Sequence, residues 1–519
     1  MKKLALLLLI FQGLLAQNVP FVTDHPVYHF LERQESLGHI HAEYWSTRPY
    51  TFNQINDMLA EIASNKEHLT LRDQSILKWY VKEFNREFTE DGITFPWSKS
   101  NLSGLRHPDT PGVKPFFMTY KSDNTQGWIN WSETFRVQNN GKSTRGYYTD
   151  HLAIFGQKGS IDFTTQYDFH RITKNDEFTE LPDNYKEGYI LKRDYMEWIN
   201  WGYPVSSLVY TPADFSLGIH RQPVYWGYSP ANSPILSDNT APLPHLQWTT
   251  EMAHLRFKFI HARLTPNESP VSDTLNIRRN LSAQRVEFDI SPNFEFAFNE
   301  MVIYAYRDFE LGYLNPVNFL FAEEHVQGDL DNKLMAIDFK WRVLPGLTSY
   351  GTWFFDELDF WKLFSGWWGN KFVFQLGATY FPVANLPSVN IEYTAARPWT
   401  YSHLNPVNSY TSAGRLLGLQ DGPNTTRLSM SANWLFGPKL FIQAEINLLT
   451  RGNDPGADVL TSYTERGAFD EEDGNFLSGE LETETRSSIA MNYYLSRTVQ
   501  MNVAIMNGTL YEVGVKLDW

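Results

Sequence analysis

The last nine residues constrain the fold more than any other stretch. Tyr511, Val513, Val515, Leu517 and Trp519 alternate with Glu512, Gly514, Lys516 and Asp518. Side chains alternate across a β-strand, so this stretch has one apolar face and one polar face. It ends on an aromatic residue. Such a strand suits the closing position of a transmembrane β-barrel, with lipid on one side and the lumen on the other. These residues are then also the expected membrane-assembly signal. The competing reading, a sandwich strand buried on one face, has to be decided by the rest of the chain.

The same alternation recurs along the chain. Ile161, Phe163, Tyr167 and Phe169 alternate with Asp162, Thr164, Gln166 and Asp168. Met335, Ile337, Phe339, Trp341 and Val343 alternate with Ala336, Asp338, Lys340 and Arg342, and Leu440 to Leu448 and Val499 to Ile505 repeat the pattern. Each run has about ten residues, the length a tilted strand needs to cross a bilayer. Counting back from Trp519 at the periplasmic end places short turns at 496–497, 437–438, 344–346 and 291–293. Long segments near 262–282, 308–332, 356–370, 397–425 and 450–484 then fall outside. A sandwich has no reason for that asymmetry, and a barrel does. Further strands are expected near 250–261, 214–221, 206–210, 189–200, 159–170, 145–155 and 127–138. The expected fold is therefore an all-β transmembrane barrel of about 18 antiparallel strands, over residues 116–519. Segment 222–249, with five prolines, falls on the short-turn side in this layout and is expected to enter the lumen or cover its lower mouth.

Residues 1–16 read as a secretory signal: Lys2 and Lys3, an apolar run, then Ala16. Residues 17–115 read as a small periplasmic α-helical segment and linker. Helices are expected from Pro26 to Gly38, from Thr51 (a capping box with Gln54), and from Thr70, followed by a proline-rich linker over 93–115. Mean hydropathy is −0.39, and no stretch after the signal is apolar enough for a membrane helix. Aromatic residues nevertheless make up 15%, as expected where Trp and Tyr gather at two membrane interfaces. The chain has no cysteine, which excludes disulfides, thiolate metal sites and a thiol nucleophile. The formal net charge of −15, which becomes −17 without Lys2 and Lys3, argues against nucleic acid as a partner.

Several short stretches carry a resemblance to the Wzi-like capsule-assembly family. They are Asp24 to Arg33, Arg48-Pro49-Tyr50-Thr51, Gly218 to Gln222, Tyr225-Trp226-Gly227, Leu236 to Asn239, Leu314-Asn315-Pro316 with Asp331-Asn332, and Ser349-Tyr350-Gly351 through Asp356-Glu357. The resemblance implies an 18-stranded outer-membrane barrel with a periplasmic helical bundle. It also implies a lectin that attaches or organises capsular polysaccharide at the surface of a Gram-negative-type cell. The implied partners are surface polysaccharide, outer-membrane lipid and the barrel-assembly machinery. No cofactor or metal is implied. The alternative function, read from the charged lumen, is a porin or substrate-specific channel.

The outer loops hold the candidate site. Trp361, Trp367 and Trp368 lie near Asp356, Glu357 and Asp359, and Trp399 and Tyr401 lie near Asn405. Sugars stack their C–H faces on aromatic rings and give hydroxyls to carboxylates and amides, so this mixture suits a glycan. An interface girdle or packing within loops would use the same aromatics. Leu314-Asn315-Pro316-Val317-Asn318 recurs as Leu404 to Asn408, a favoured Asn-Pro turn. Asp470 to Asp473 is dense enough in oxygen for Ca²⁺, but it has no EF-hand spacing and reads as a solvated acidic run. No spacing assigns a catalytic triad, so the chain reads as a non-enzyme. On the closing strand, Lys in place of Val515 is expected to harm insertion and Lys in place of Gly514 to be milder.

Overall fold

The computed structural model describes residues 25–41, 46–84, 88, 91–95, 116–178, 193–195, 197–212, 215–230, 232–267, 277–363, 365–466 and 476–519. The signal segment 1–16, most of the linker over 93–115 and the acidic run 470–473 lie outside the described residues. No helix among the described residues is long and apolar enough to cross a membrane. The strands do so instead, as a closed 18-stranded antiparallel barrel. In chain order they are β1 Thr125–Asn139, β2 Thr144–Lys158, β3 Ile161–Thr173, β4 Trp198–Tyr210, β5 Phe215–Gln222 and β6 Leu243–Met252. Then come β7 Leu255–Leu264, β8 Arg279–Ser291, β9 Phe294–Ala305, β10 Asn332–Leu344, β11 Leu347–Glu357 and β12 Lys371–Tyr380. The last six are β13 Ser388–Ala396, β14 Thr425–Leu435, β15 Leu440–Gly452, β16 Leu481–Tyr494, β17 Val499–Met506 and β18 Leu510–Asp518. Strand β18 pairs with β1, Tyr511 opposite Asn139 and Asp518 opposite Ser132, and so closes the circle.

Alternation sorts the two faces as the sequence implies. Tyr511 and Val513 are exposed on the outer wall, while Glu512 is buried inside, bonded by Gln138 and Asn502. At one end no connection exceeds the seven residues 381–387. At the other stand 306–331, 358–370, 397–424 and 453–480.

The strand layout differs from the sequence expectation in two places. Residues expected as two strands, 189–200 and 206–210, contribute to one, β4. Pro204 interrupts its pattern, but it is tolerated because 201–205 are unpaired on the side that β5 joins only from Ser206. Conversely, 250–261 is a hairpin of β6 and β7, turning at Ala253-His254 without glycine or proline; Ala253 takes the left-handed conformation, φ 49°. The two differences cancel in the count. They also move 223–242 to the long-loop end, correcting the expectation that it is a short-turn-side segment. It folds inward.

Helices α1 Val27–Ser36, α2 Phe52–Ser64 and α3 Leu71–Phe84 form a bundle in the short-turn mouth. Thr51 and Gln54 complete the capping box. Phe52, Ile55, Leu59 and Ile62 are buried, as are Ile76, Tyr80 and Phe84. The bundle shares its core with the barrel wall: Phe52 meets the ring edges of Trp128 and Phe155, inward residues of β1 and β2. Each such large side chain contributes roughly 1.5–3 kcal/mol by burial. Polar contacts fix the seat. Arg33 pairs with Asp73 and donates to the Pro382 and Val383 carbonyls, and Arg342 donates to the Glu35 carbonyl at 2.7 Å.

Above the bundle, 223–242 fills one side of the lumen. Thr47 and Arg48 pair with Trp226 and Tyr225 as a two-stranded ribbon. Trp226, Ile235 and Leu236 pack against inward Ile260, Leu281, Met301, Ile303, Leu334 and Phe354. Loop 397–424 caps this core from the other mouth: Tyr401 and Tyr410 donate to the carbonyls of Pro234 and Ile235 at 2.8 and 2.6 Å. The approach is close, since a Cβ on Gly418 would lie 2.3 Å from the Pro234 carbonyl oxygen.

One buried cation joins these parts. Arg285, on β8, donates two bonds to Asp338 at 2.7–2.8 Å, one to Asn299 and one to Glu287. Its Nε also lies 3.3 Å from Ser46 Oγ, and its guanidinium lies over the Tyr228 ring. The opposite wall is wetter. Glu484 and Arg486 on β16 are exposed, and a cavity of about 210 Å³ is lined by Asn390, Glu392, Ser429, Gln443, Glu445 and Ser488, among others.

Replacing Val513, exposed on the outer wall, with Lys should cost roughly 2–4 kcal/mol of insertion free energy near the midplane. Ala490→Lys, beside the cavity, should cost much less; equal losses in refolded yield would contradict the facing. Gly514 does not serve as the mild control, because a Cβ there meets Asn502 Oδ1 at 2.2 Å and Arg136. Trp519→Ala should lower inserted yield, since its indole bonds Glu133 and its amide bonds the Trp131 carbonyl. Arg285→Ala strands Asp338 and should cost about 3–5 kcal/mol. Faster proteolysis of the N-terminal segment, with heat-modifiable barrel mobility retained, is the expected readout.

Candidate functional site

The described residues of three long loops meet over the open mouth: 358–363 with 365–370, 397–424, and 453–466. The first is shaped by its own polar groups. Asp359 caps the short helical turn Phe360–Lys362 through the Trp361 amide, and the Asn370 side-chain oxygen accepts from the Asp359 amide. The Ser365 hydroxyl accepts from the Trp367 amide, and Arg397 donates to the Gly366 carbonyl. This folding presents Trp361 almost fully to solvent, at 98% exposure.

Trp367 and Trp368 sit 5.9 Å apart, ring centre to ring centre. Lys362 lies over Trp367 at 4.2 Å, and Arg466 lies over Trp368 at 3.6 Å. Trp368 also meets Tyr463 at 5.6 Å, and Lys371 lies over the Tyr463 ring at 4.3 Å. Glu357 pairs with Lys371 at 2.9 Å. His403 stands edge-on to Tyr463. The result is a ledge of half-exposed rings with cations seated on them and a carboxylate beside them. Cation–ring contacts hold these rings in place while each keeps part of its surface exposed. Burial, more than the nearby Lys371 ammonium, lowers the His403 pKa below its ordinary 6.5, so the ring is neutral at pH 7. Burial raises the Tyr463 pKa, so its hydroxyl stays protonated.

The residues singled out from sequence divide into two groups. Trp361, Trp367, Trp368, Glu357 and Asp359 lie in or beside this ledge, and exposed Asn405 stands near it through the contact of its amide with His403. Trp399 and Tyr401 do not join them. They are 2% and 0% exposed, both at positive φ; Tyr401 points into the lumen core, and Trp399 packs on Gly456 of the neighbouring outer loop. Tyr401 stacks on Tyr410 at 5.5 Å and packs on Phe354, and Asp356 accepts from the Tyr401 amide. Buried in these contacts, Trp399, Tyr401 and Asp356 hold loop 397–424 in place instead of facing a ligand. The sequence reading missed Lys362 in the same loop, Lys371 at the start of β12, His403, and Tyr463 and Arg466, most of them remote in the chain from the tryptophans. Its one available signal was Tyr463 and Arg466, three apart in a long outer loop.

The repeated Leu-Asn-Pro-Val-Asn motif makes the same turn twice. The Asn318 amide donates to the Asn315 carbonyl, and the Asn408 amide to the Asn405 carbonyl. One copy lies against the outer wall of the barrel and the other over its mouth.

No protein-family model matches this sequence, and no curated protein matches it either. Among solved structures the chain is similar to Wzi of Escherichia coli, described as a carbohydrate-binding outer-membrane barrel involved in group 1 capsule assembly. The two are 12% identical, with 96% of this chain and 99% of that one covered at a TM-score of 0.58. Pseudomonas aeruginosa OprD, at 10% identity and a TM-score of 0.41, and Acinetobacter baumannii OccAB2, at 9% and 0.44, each cover 76% of this chain. Those two add nothing beyond a distant barrel likeness. At this identity the first comparison speaks to the fold: the chain is an outer-membrane barrel of the Wzi-like architecture, with a helical segment before an 18-stranded wall.

Proposed function

We propose that the protein binds surface polysaccharide at its long-loop mouth and holds it at the cell, in capsule assembly or attachment. The observation that carries this is the ledge of Trp361, Trp367, Trp368 and Tyr463, with Lys362, Arg466 and Glu357 around it. Exposed ring surface stacks on sugars, and the flanking charges take hydroxyls or acidic substituents. The lumen beneath favours retention over transport, because 223–242 and 397–424 fill it along one wall. The likeness to a carbohydrate-binding barrel agrees with this reading. In it the short-turn mouth and its bundle face the periplasm, the apolar wall faces outer-membrane lipid, and the closing strand is read by the barrel-assembly machinery. No catalytic step and no cofactor are part of it.

A channel is the second reading, and the water-exposed inner face of β16 with the adjoining polar cavity favours it. Conductance in planar bilayers separates the two: a closed or flickering lumen fits retention, and a large steady current fits a channel.

A central ring commonly contributes more than ~1 kcal/mol to such an interface, so a double substitution gives the clearer result. Trp367→Ala with Trp368→Ala should release polymer into the medium while the barrel keeps its heat-modifiable mobility. Unchanged cell-bound polymer in that folded variant would remove this ledge from the site.

A further inference from the structure

Loop 306–331 leaves the mouth and folds down the outside of the barrel. Among the outward residues of β8 and β9 near it, three are polar: Ser282, Gln284 and Glu300. Each meets a main-chain group of the loop. The Ser282 hydroxyl donates to the Tyr313 carbonyl at 2.5 Å, and the Gln284 amide donates to the Asn318 carbonyl at 2.7 Å. Glu300 accepts the Leu320 and Phe321 amides at 3.1 and 2.8 Å. Lys333, outward on β10, pairs with Glu324 and Asp329. On the inner side of the same strands, Leu281, Met301, Ile303 and Leu334 belong to the lumen core, so the two faces are unambiguous. The loop forms two short helices, α4 Leu311–Leu314 and α5 Leu320–Gln327, seated on Val302 and Tyr304 through Tyr313 and Leu320.

The other side of this helical hairpin is apolar and uncovered. Leu311, Val317, Phe319, Val326 and Leu330 are 65–81% exposed, and Phe321 is 40% exposed. Water does not explain such a face, because scattered exposed hydrophobics are ordinary but a contiguous apolar surface marks a contact. Height identifies the contact. Glu300, which holds the start of α5, is six residues above Phe294 at the short-turn end of β9. With strand rise and tilt, that is roughly 15 Å up a belt about 25 Å tall. Phe294, Phe296 and Phe298 occupy the same outward face directly below it, so the hairpin continues the lipid-facing wall.

We infer that α4 and α5 form a wedge lying in the outer leaflet, their exposed face packed on lipid acyl chains. The polar strip of Ser282, Gln284 and Glu300 is then never in contact with lipid, because the hairpin's own backbone satisfies it, and the hairpin supplies the missing apolar belt. Amphipathic segments settle at this depth when one face is apolar and the other has its polar groups bonded.

The chain has no cysteine, so single labelled positions are available. Phe319→Cys and Val326→Cys, each carrying an environment-sensitive fluorophore, are refolded into phosphatidylethanolamine–phosphatidylglycerol vesicles and checked by heat-modifiable mobility. Val513→Cys on the outer wall and Trp361→Cys on the mouth loop serve as references. Nitroxide on lipid acyl chains should reduce the signal at 319 and 326 as strongly as at 513, and aqueous iodide should spare them while quenching 361. Iodide quenching equal to that at 361 would overturn the inference by placing the hairpin in water. Shielding from both quenchers would overturn it by showing a protein cover, such as a second copy. If one variant fails to fold, Leu330→Cys replaces it.

Discussion

Pairing between β18 and β1 is the constraint on which the rest of the structure depends. A bilayer offers no partner for a free backbone N–H or C=O, so a sheet survives there only when it has no edge. Eight register pairs from Tyr511 with Asn139 to Asp518 with Ser132 remove that edge. Closing at 18 strands leaves an interior far wider than side chains alone fill. The chain meets that consequence with its own segments: the bundle at the short-turn mouth, 223–242 in the lumen, and 397–424 above. Arg285 ties wall, bundle strand and inward segment together, and its burial is tolerable because Asp338, Glu287 and Asn299 satisfy the guanidinium.

The filling is lopsided, and that shapes the functional argument. Along β7 to β12 the lumen holds an apolar core beside the Arg285 ion pairs. Along β13 to β16 it holds polar side chains and a cavity. A retention protein needs a firm platform for its outer loops more than an open bore, and the packed half provides one. Tyr401 and Tyr410, bonded to the inward segment, anchor loop 397–424 from below, so His403 is held where it meets Tyr463, with Asn405 beside it. Loop folding on the outer wall serves a different purpose: 306–331 covers a polar strip that lipid would not accept.

Much of this was legible in the sequence because strand alternation and loop asymmetry are strong local signals. The wall facing of Met335 to Val343, the capping box at Thr51 and the long loops all follow from residue order. The layout over 189–261 was not legible. Pro204 sits inside a real, unbroken strand and Ala253-His254 makes a turn without a turn residue, and in both cases tertiary pairing overrides the local signal. The inward course of 223–242 depended on that layout. For the site, aromatic content marked the right loops but not the facing of individual rings. Trp399 and Tyr401 look like Trp367 and Trp368 in sequence; only contacts with Gly456, Pro234 and Phe354, remote in the chain, bury the first pair.

The most direct measurement of the central claim is hydroxyl-radical footprinting of the purified, lipid-embedded protein, with and without polysaccharide isolated from its own cell surface. Glycan held on the ledge predicts protection at Trp361, Trp367, Trp368 and Tyr463, with no change at buried Trp399 and none along Glu482 to Arg486 inside the wall. Unchanged oxidation of all four ledge residues, or protection confined to the lumen wall, would contradict the account.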